Sequence, residues 1–394
     1  MYDLSKYKFI ISSGCSYGMI PRNLNHMRKT NIFEIDDDCV VVDLQQDSQS
    51  ANYSADSIIH TIEVLKSKSV PVENIYVINE WTGWERTQMV FPSSTMFQIF
   101  ENNDLHPQKV ASLNKDSSLL DYLNDLLGFK TLRSKKFKGM HCPIVFIDNL
   151  SYVNASHLDI EEFSDTNYYF WIKLYQETHA KIQNETLIND WFNHVLKLQY
   201  YLKLNNIEYN FHFMSSVFSN YFKDEHKNLY QAYQSKYQWD DSTNRLVNRE
   251  QDSERFYSNL TEKNDLIYQF PEIQFKFNQL DLSRFWFADS DKYRYGGVDE
   301  YVMENFPYFG YSSLHMENDN MRFHIENFNN HPELVLYSFV AKEVLKECKF
   351  IKFNEDVITK LRNEIFYEVN TGNDKTNKYF LTLRSLKGKF HRYI

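Results

Sequence analysis

The sequence predicts an α/β fold of three layers, with a parallel sheet covered by helices on both faces and interrupted by long insertions. Three observations predict it. Short runs at Tyr7–Ser12, Cys39–Leu44 and Ile75–Ile78 are almost wholly apolar and too short for helices, the pattern of strands buried on both faces. Between the second and third, Ile58, Ile59, Ile62 and Leu65 recur at helical spacing, and alternating strands and helices mark parallel crossover units. Finally, 42% of the 394 residues are apolar and 24% charged, a globular balance that can fill a large core.

The first run stops at Ser13-Gly14, where a tight turn is expected. After the second, a helix over 56–66 follows a cap at Ser54 or Asp56, and Pro71 punctuates the chain before the third strand. Beyond residue 90 the rhythm loosens. Asp116 or Ser117 caps a helix carrying Leu119, Leu120, Leu123, Leu126 and Leu127, ended by Gly128, and Pro143–Asp148 has the character of a strand. A long amphipathic helix spans Asn184–Leu204, with Leu187, Trp191, Val195, Leu198 and Leu202 on one face, and leads into a fourth core strand, Ile207–Met214. Residues 216–325 are polar, aromatic and irregular. The last helix is Pro332–Lys346, and Phe350-Ile351 is placed to close the sheet's edge. The organisation expected is one domain over 1–394, with an insertion at 90–165 and another insertion or small subdomain at 216–325.

Composition excludes several functions. Acidic residues outnumber basic ones 53 to 43, for a net charge of −10, so nucleic acid and anionic membrane are not expected partners. The basic run Arg133–Lys138 is short enough for a solvated loop. Cys15, Cys39, Cys142 and Cys348 are widely spaced and form no paired ligand motif, so neither a metal nor a disulfide framework is expected. His141 beside Cys142 has no second ligand pair nearby, and Gly296-Gly297 lacks the Lys-Ser or Lys-Thr of a phosphate loop. No cofactor is expected. The N-terminus lacks a signal-peptide pattern, and no run approaches the roughly 18 apolar residues of a membrane span. A cytoplasmic protein follows as the expectation, in a host cytoplasm or a virus particle if the source is viral.

The segment richest in chemistry is Ser13-Gly14-Cys15-Ser16-Tyr17-Gly18, directly after the first strand. A serine on a glycine-permitted turn at the carboxyl end of a parallel strand has its hydroxyl where open α/β sheets bind ligands. Gly14-x-Ser16-x-Gly18 also matches the nucleophile elbow of α/β-hydrolases, but that fold places several strands before the elbow and only one fits here. Near the other end of the chain, Asn330-His331-Pro332-Glu333 opens the last helix.

A serine block after the first strand and a His-Pro block before the last helix together resemble the SGNH (GDSL-type) hydrolases. Gly14-Cys15-Ser16 stands in place of Gly-Asp-Ser, a form similar to that of phage-encoded members. The resemblance implies a flavodoxin-like sheet, Ser16 as nucleophile and His331 as its base, and no cofactor. It also implies an esterase or deacetylase acting on a small-molecule or glycan acyl ester. The family's orienting Asp before His is missing. Asn329 stands there and brings no charge, which leaves a Ser-His dyad or a contribution from Glu326 as alternatives. The oxyanion would be held by the Ser16 N–H, by Asn52 or Ser54 after the second strand, and by Asn79 or Thr82 after the third. Trp81-Thr82-x-x-x-Arg86 resembles a phage-type variant of the third block, with Trp81 and Arg86 as substrate-binding candidates. His212, between Phe211 and Phe213, has the setting of a packed or surface strand histidine, and His324 has no motif behind it. The competing expectation is a binding module or virion-associated protein, weak or inactive as a catalyst, meeting a protein partner through its insertions.

Overall fold

The computed structural model describes residues 2–14, 33–45, 50–84, 88–92, 105–107, 111–112, 117–132, 144–147, 149–153, 170, 173–174, 184–213, 237–240, 245–248, 270–288, 295–298, 301, 314–317, 320–323 and 334–360. The chain divides into two compact units, the first holding 1–21, 37–212 and 270–285, the second 22–36, 213–269 and 286–394.

The first unit is α/β, and its centre is a parallel sheet flanked by helices. Its strands are β1 (Lys8–Ser13), β2 (Cys39–Asp43), β3 (Ile75–Trp81), β4 (Glu208–Phe213) and β5 (Phe285–Trp286). They lie in the order β5-β4-β3-β1-β2, and a short strand, Ala111–Ser112, closes the β2 edge antiparallel. Counted from the β2 edge the order is 2-1-3-4-5, the flavodoxin-like arrangement of doubly wound sheets. β1 runs parallel to both neighbours, with Phe9 opposite Val40 and Ile75, and Ser13 opposite Asn79. Phe9, Ile10, Ile11, Val40 and Val42 have no exposed surface, and all seven residues of β3 are buried. That is why these strands are continuous apolar runs and not alternating ones.

Three helices of this unit follow in the chain. In α1 (Ala51–Ser67), Ala55, Ile58, Ile62 and Leu65 are fully buried. It begins a turn earlier than the isoleucine spacing suggests. Ser50 is extended and sits at the N-cap, and the Ser54 N–H donates to the Ser50 carbonyl at 3.1 Å, so Ser54 is already inside the helix. The helix α2 (Ser117–Leu127) ends at Gly128, whose φ of 69° is the left-handed stop that glycine permits. In α3 (Asn184–Leu204), Trp191, Val195, Leu198 and Leu202 face inward, and Lys197 and Tyr201 reach back to Asp56 and Glu63 of α1.

Both α1 and α3 hand the chain to a strand through the same hydrogen-bonded stop. The Val70 N–H donates to Leu65 O (3.2 Å) and Ser69 to Lys66 O (2.9 Å); the Ile207 N–H donates to Leu202 O (3.0 Å) and Asn206 to Lys203 O (3.1 Å). These are paired Schellman bonds, with Ser69 and Asn206 left-handed at φ of 63° and 54°. In a chain with only 10 glycines, serine and asparagine fill the positions that glycine usually takes.

A second, antiparallel sheet lies in the sequence between β3 and α3. Its strands run in the order Met89–Pro92, Leu150–Val153, Ile144–Ile147, Lys130–Leu132, Leu105–Pro107. Tyr152 ties it to α1, donating its hydroxyl to Asp56 at 2.8 Å and meeting Tyr53 edge-on at 5.3 Å. A short helix, α4 (Pro271–Phe277), packs on α3 through Lys276, which donates to the Asn193 side chain at 2.7 Å. Both α4 and β5 fall within 216–325, where the sequence shows only irregular chain. The fifth strand of the sheet is there.

In the second unit, Ile351–Phe353 pairs antiparallel with Phe33–Ile35, and the rings of Phe33 and Phe353 meet at 5.8 Å. The strand expected to close the main sheet near Phe350-Ile351 therefore belongs to a separate two-stranded sheet. The helix α5 (Leu334–Val344) buries Phe339, Val340, Ala341 and Val344. Close behind it, burial pushes the Cys348 thiol up to about 12. Because the thiolate is the reactive form, iodoacetamide at pH 8 is expected to leave Cys348 unmodified in the native protein and to alkylate it after denaturation. Peptide mass spectrometry reads this directly, and rapid native alkylation would contradict the burial. Among the described residues, no helix is long and apolar enough to cross a membrane.

Candidate functional site

The strands are apolar through their bodies and polar at their carboxyl ends. Ser12 and Ser13 end β1, Asn79 and Glu80 come near the end of β3, and in β4 Asn210 is the third of six residues and His212 the fifth; all six of these polar residues are buried. Order 2-1-3-4-5 places the topological switch between β1 and β3, and open α/β sheets bind ligands outside the carboxyl ends at that switch. The polar residues are concentrated at that rim.

Several of them have unused hydrogen-bonding capacity. Asn79 has no exposed surface, yet neither its amide nitrogen nor its carbonyl oxygen has a partner. The Gln45 side-chain carbonyl and the Tyr53 hydroxyl are also buried and unpaired, although Gln45 donates its amide to Ser12 Oγ at 3.3 Å. Burial, with the Asp43 carboxylate adding to it, drives the Tyr53 hydroxyl well above the usual tyrosine range, so it stays a neutral donor. Buried polar atoms are nearly always satisfied in folded proteins, and each one left unpaired costs about 1–3 kcal/mol. Asn79, Gln45 and Tyr53 each keep polar capacity that the fold does not use.

Parallel register and strand alternation put Ser13 and Asn79 on one sheet face, with Trp81, and Ser12 and Glu80 on the other. Gly14 follows Ser13 with φ of 148°, a conformation side chains rarely adopt. A β-carbon built on it would lie 2.8 Å from the Glu80 β-carbon. The end of β1 thus rests directly on β3. Gly14→Ala combines backbone strain of about 1–3 kcal/mol with a clash that neither backbone can relieve cheaply. The expected result is a clearly lower urea midpoint, and an unchanged midpoint would contradict the contact.

The other sequence candidates take different places. Asn52 and Ser54 lie in the first turn of α1. The Asn52 carbonyl accepts from the Ser50 hydroxyl and from the Tyr53 N–H (2.9 Å), and its amide donates to Gln88 O at 3.4 Å, so this carboxamide is already engaged. Thr82 is buried, and its carbonyl accepts from Trp191 Nε1 at 2.9 Å. Trp81 has no exposed surface and packs edge-on against Trp191 at 6.0 Å and Phe211 at 5.4 Å. It is a core residue and offers no surface for a substrate. Ser16, Arg86, Glu326, Asn329 and His331 lie outside the described residues, as do His141, Cys142 and His324.

Sequence reasoning missed Gln45, Tyr53 and Glu80, and placed His212 among packing residues. The signal was available in one respect: Asn79-Glu80 interrupts an apolar strand with two adjacent polar residues, which cannot both face solvent if the strand is buried on both faces. Among the described residues, no three His, Cys, Asp or Glu side chains group as metal ligands would. Comparison of the chain with protein-family models, curated proteins and solved structures gives no significant match.

Proposed function

We propose that the protein is a serine hydrolase of the SGNH type that cleaves an acyl ester, such as an acylated carbohydrate. Ser16 Oγ attacks the acyl carbonyl, His331 takes its proton and returns it to the departing alcohol, and water then releases the acid from the acyl-enzyme. Asn79 donates its amide to the oxygen that gains charge in the tetrahedral intermediate.

The observation that carries this reading is Asn79: a buried carboxamide without partners, in register with Ser13, three residues before Ser16 in the chain. A preorganised donor of this kind is kept idle by the free protein and used only when charge develops, which is what transition-state stabilisation requires. The 2-1-3-4-5 order supports the reading because it brings the ends of β1 and β3 together at the switch. The test is covalent labelling by a fluorophosphonate, which reports an activated serine without knowledge of the acyl group or alcohol. Wild-type protein that stays unlabelled would favour a binding module on the same fold.

A further inference from the structure

Glu80 and His212 are ionisable residues buried inside the first unit, 0% and 2% exposed at their side chains, with Glu80 Oε2 3.7 Å from His212 Nε2. The proposed reaction does not yet use them. Carrying two ionisable side chains to such depth costs several kcal/mol of lost solvation. Ile10, Tyr76 and Ile78 are buried on the same sheet face as Glu80, so the carboxylate is set in otherwise largely apolar surroundings.

Two further observations connect the pair to the site. Glu80 is the residue on which the end of β1 rests: a β-carbon added to Gly14 would lie 2.8 Å from the Glu80 β-carbon and 3.3 Å from its carbonyl oxygen. His212, for its part, has no hydrogen-bond partner at either ring nitrogen. The Glu80 carboxylate lies beside one of those nitrogens, at 3.7 Å. We propose that Glu80 and His212 act as one positioning pair, fixing the β1 exit at Ser13-Gly14 from the sheet face opposite Asn79, two residues before Ser16 in the chain. This rests on the hydrolase reading. It adds a role for two residues that lie far in sequence from both the nucleophile's motif and the histidine block.

The test measures the maximal rate and the half-saturating concentration of fluorophosphonate labelling, with thermal melts alongside. The proteins are wild type, Glu80→Gln, His212→Gln, the Glu80→Gln/His212→Gln double variant and the apolar Glu80→Leu/His212→Leu variant. The pair predicts that each single variant lowers the maximal rate at least about tenfold, leaves half-saturation unchanged, and is not worsened by the second substitution, since residues that act as a unit are non-additive. The apolar variant is expected to label as slowly, per folded molecule, as the single variants. It keeps the test decisive if a single variant fails to fold. Variants that label at the wild-type rate per folded molecule would overturn the positioning role and leave the hydrolase standing. No labelling of wild type, or labelling that persists in Ser16→Ala, would remove both.

Discussion

Ser16→Ala is expected to abolish fluorophosphonate labelling completely, the largest effect available in this protein. Phosphonylation requires an oxygen nucleophile made reactive by a neighbouring base, and removing the nucleophile of a serine hydrolase costs on the order of 10⁶ in rate. His331→Ala is expected to reduce labelling almost as far, because base and nucleophile work as one unit. Asn329→Asp is expected to accelerate labelling if residue 329 faces the imidazole, since a carboxylate there would stabilise the imidazolium that asparagine cannot. Gel fluorescence with a tagged probe, confirmed by mass of the labelled peptide, distinguishes these outcomes. Labelling retained in Ser16→Ala would end the assignment of Ser16 as nucleophile.

Asn79→Leu is expected to slow labelling by about 10²–10³, the usual consequence of removing one oxyanion donor, while the melting temperature rises. The two changes have opposite signs for one physical reason. Asn79 is buried with both polar atoms unpaired, so the folded protein bears an unsatisfied-group cost of about 1–3 kcal/mol that an isosteric apolar side chain removes. A residue kept for stability would show both quantities falling together. If Asn79→Leu melted lower than wild type and labelled normally, Asn79 would be a structural residue and the oxyanion assignment would pass to another donor.

The parts of the fold legible in the sequence are those whose evidence is local. β1, β2 and β3 are short uninterrupted apolar runs, and α3 has its full span, Asn184–Leu204, written in the spacing of Trp191, Val195, Leu198 and Leu202. The start of α1 was not legible, because Ser50, Asn52 and Ser54 interrupt its first turn with residue types that also suit a cap or a turn. β5 is two residues long and lies in polar chain. The pairing of Ile351–Phe353 with Phe33–Ile35 joins segments from opposite ends of the protein, and no local pattern encodes it. At the site, Asn79 could be named as one donor among several, but whether a carboxamide is engaged or idle is a tertiary fact. The same sequence logic admits Asn52, whose amide is occupied, and Asn79, whose amide is not.

The strand order carries a kinetic consequence. β1, β2, α1 and β3 follow one another within the first 81 residues, and their pairings close short loops. β4, the next strand of the same sheet, does not begin until Glu208, after the antiparallel sheet and α3. The entropy of closing so long a loop grows only logarithmically, at about 0.6 kcal/mol for each doubling of length, so the intervening sheet is tolerated at equilibrium. Rates are more sensitive, because distant pairings slow the search for the native topology. During synthesis the β3 edge emerges long before its partner. For that interval, the strand bearing Asn79 and Glu80 presents an unpaired edge to solvent and to other chains.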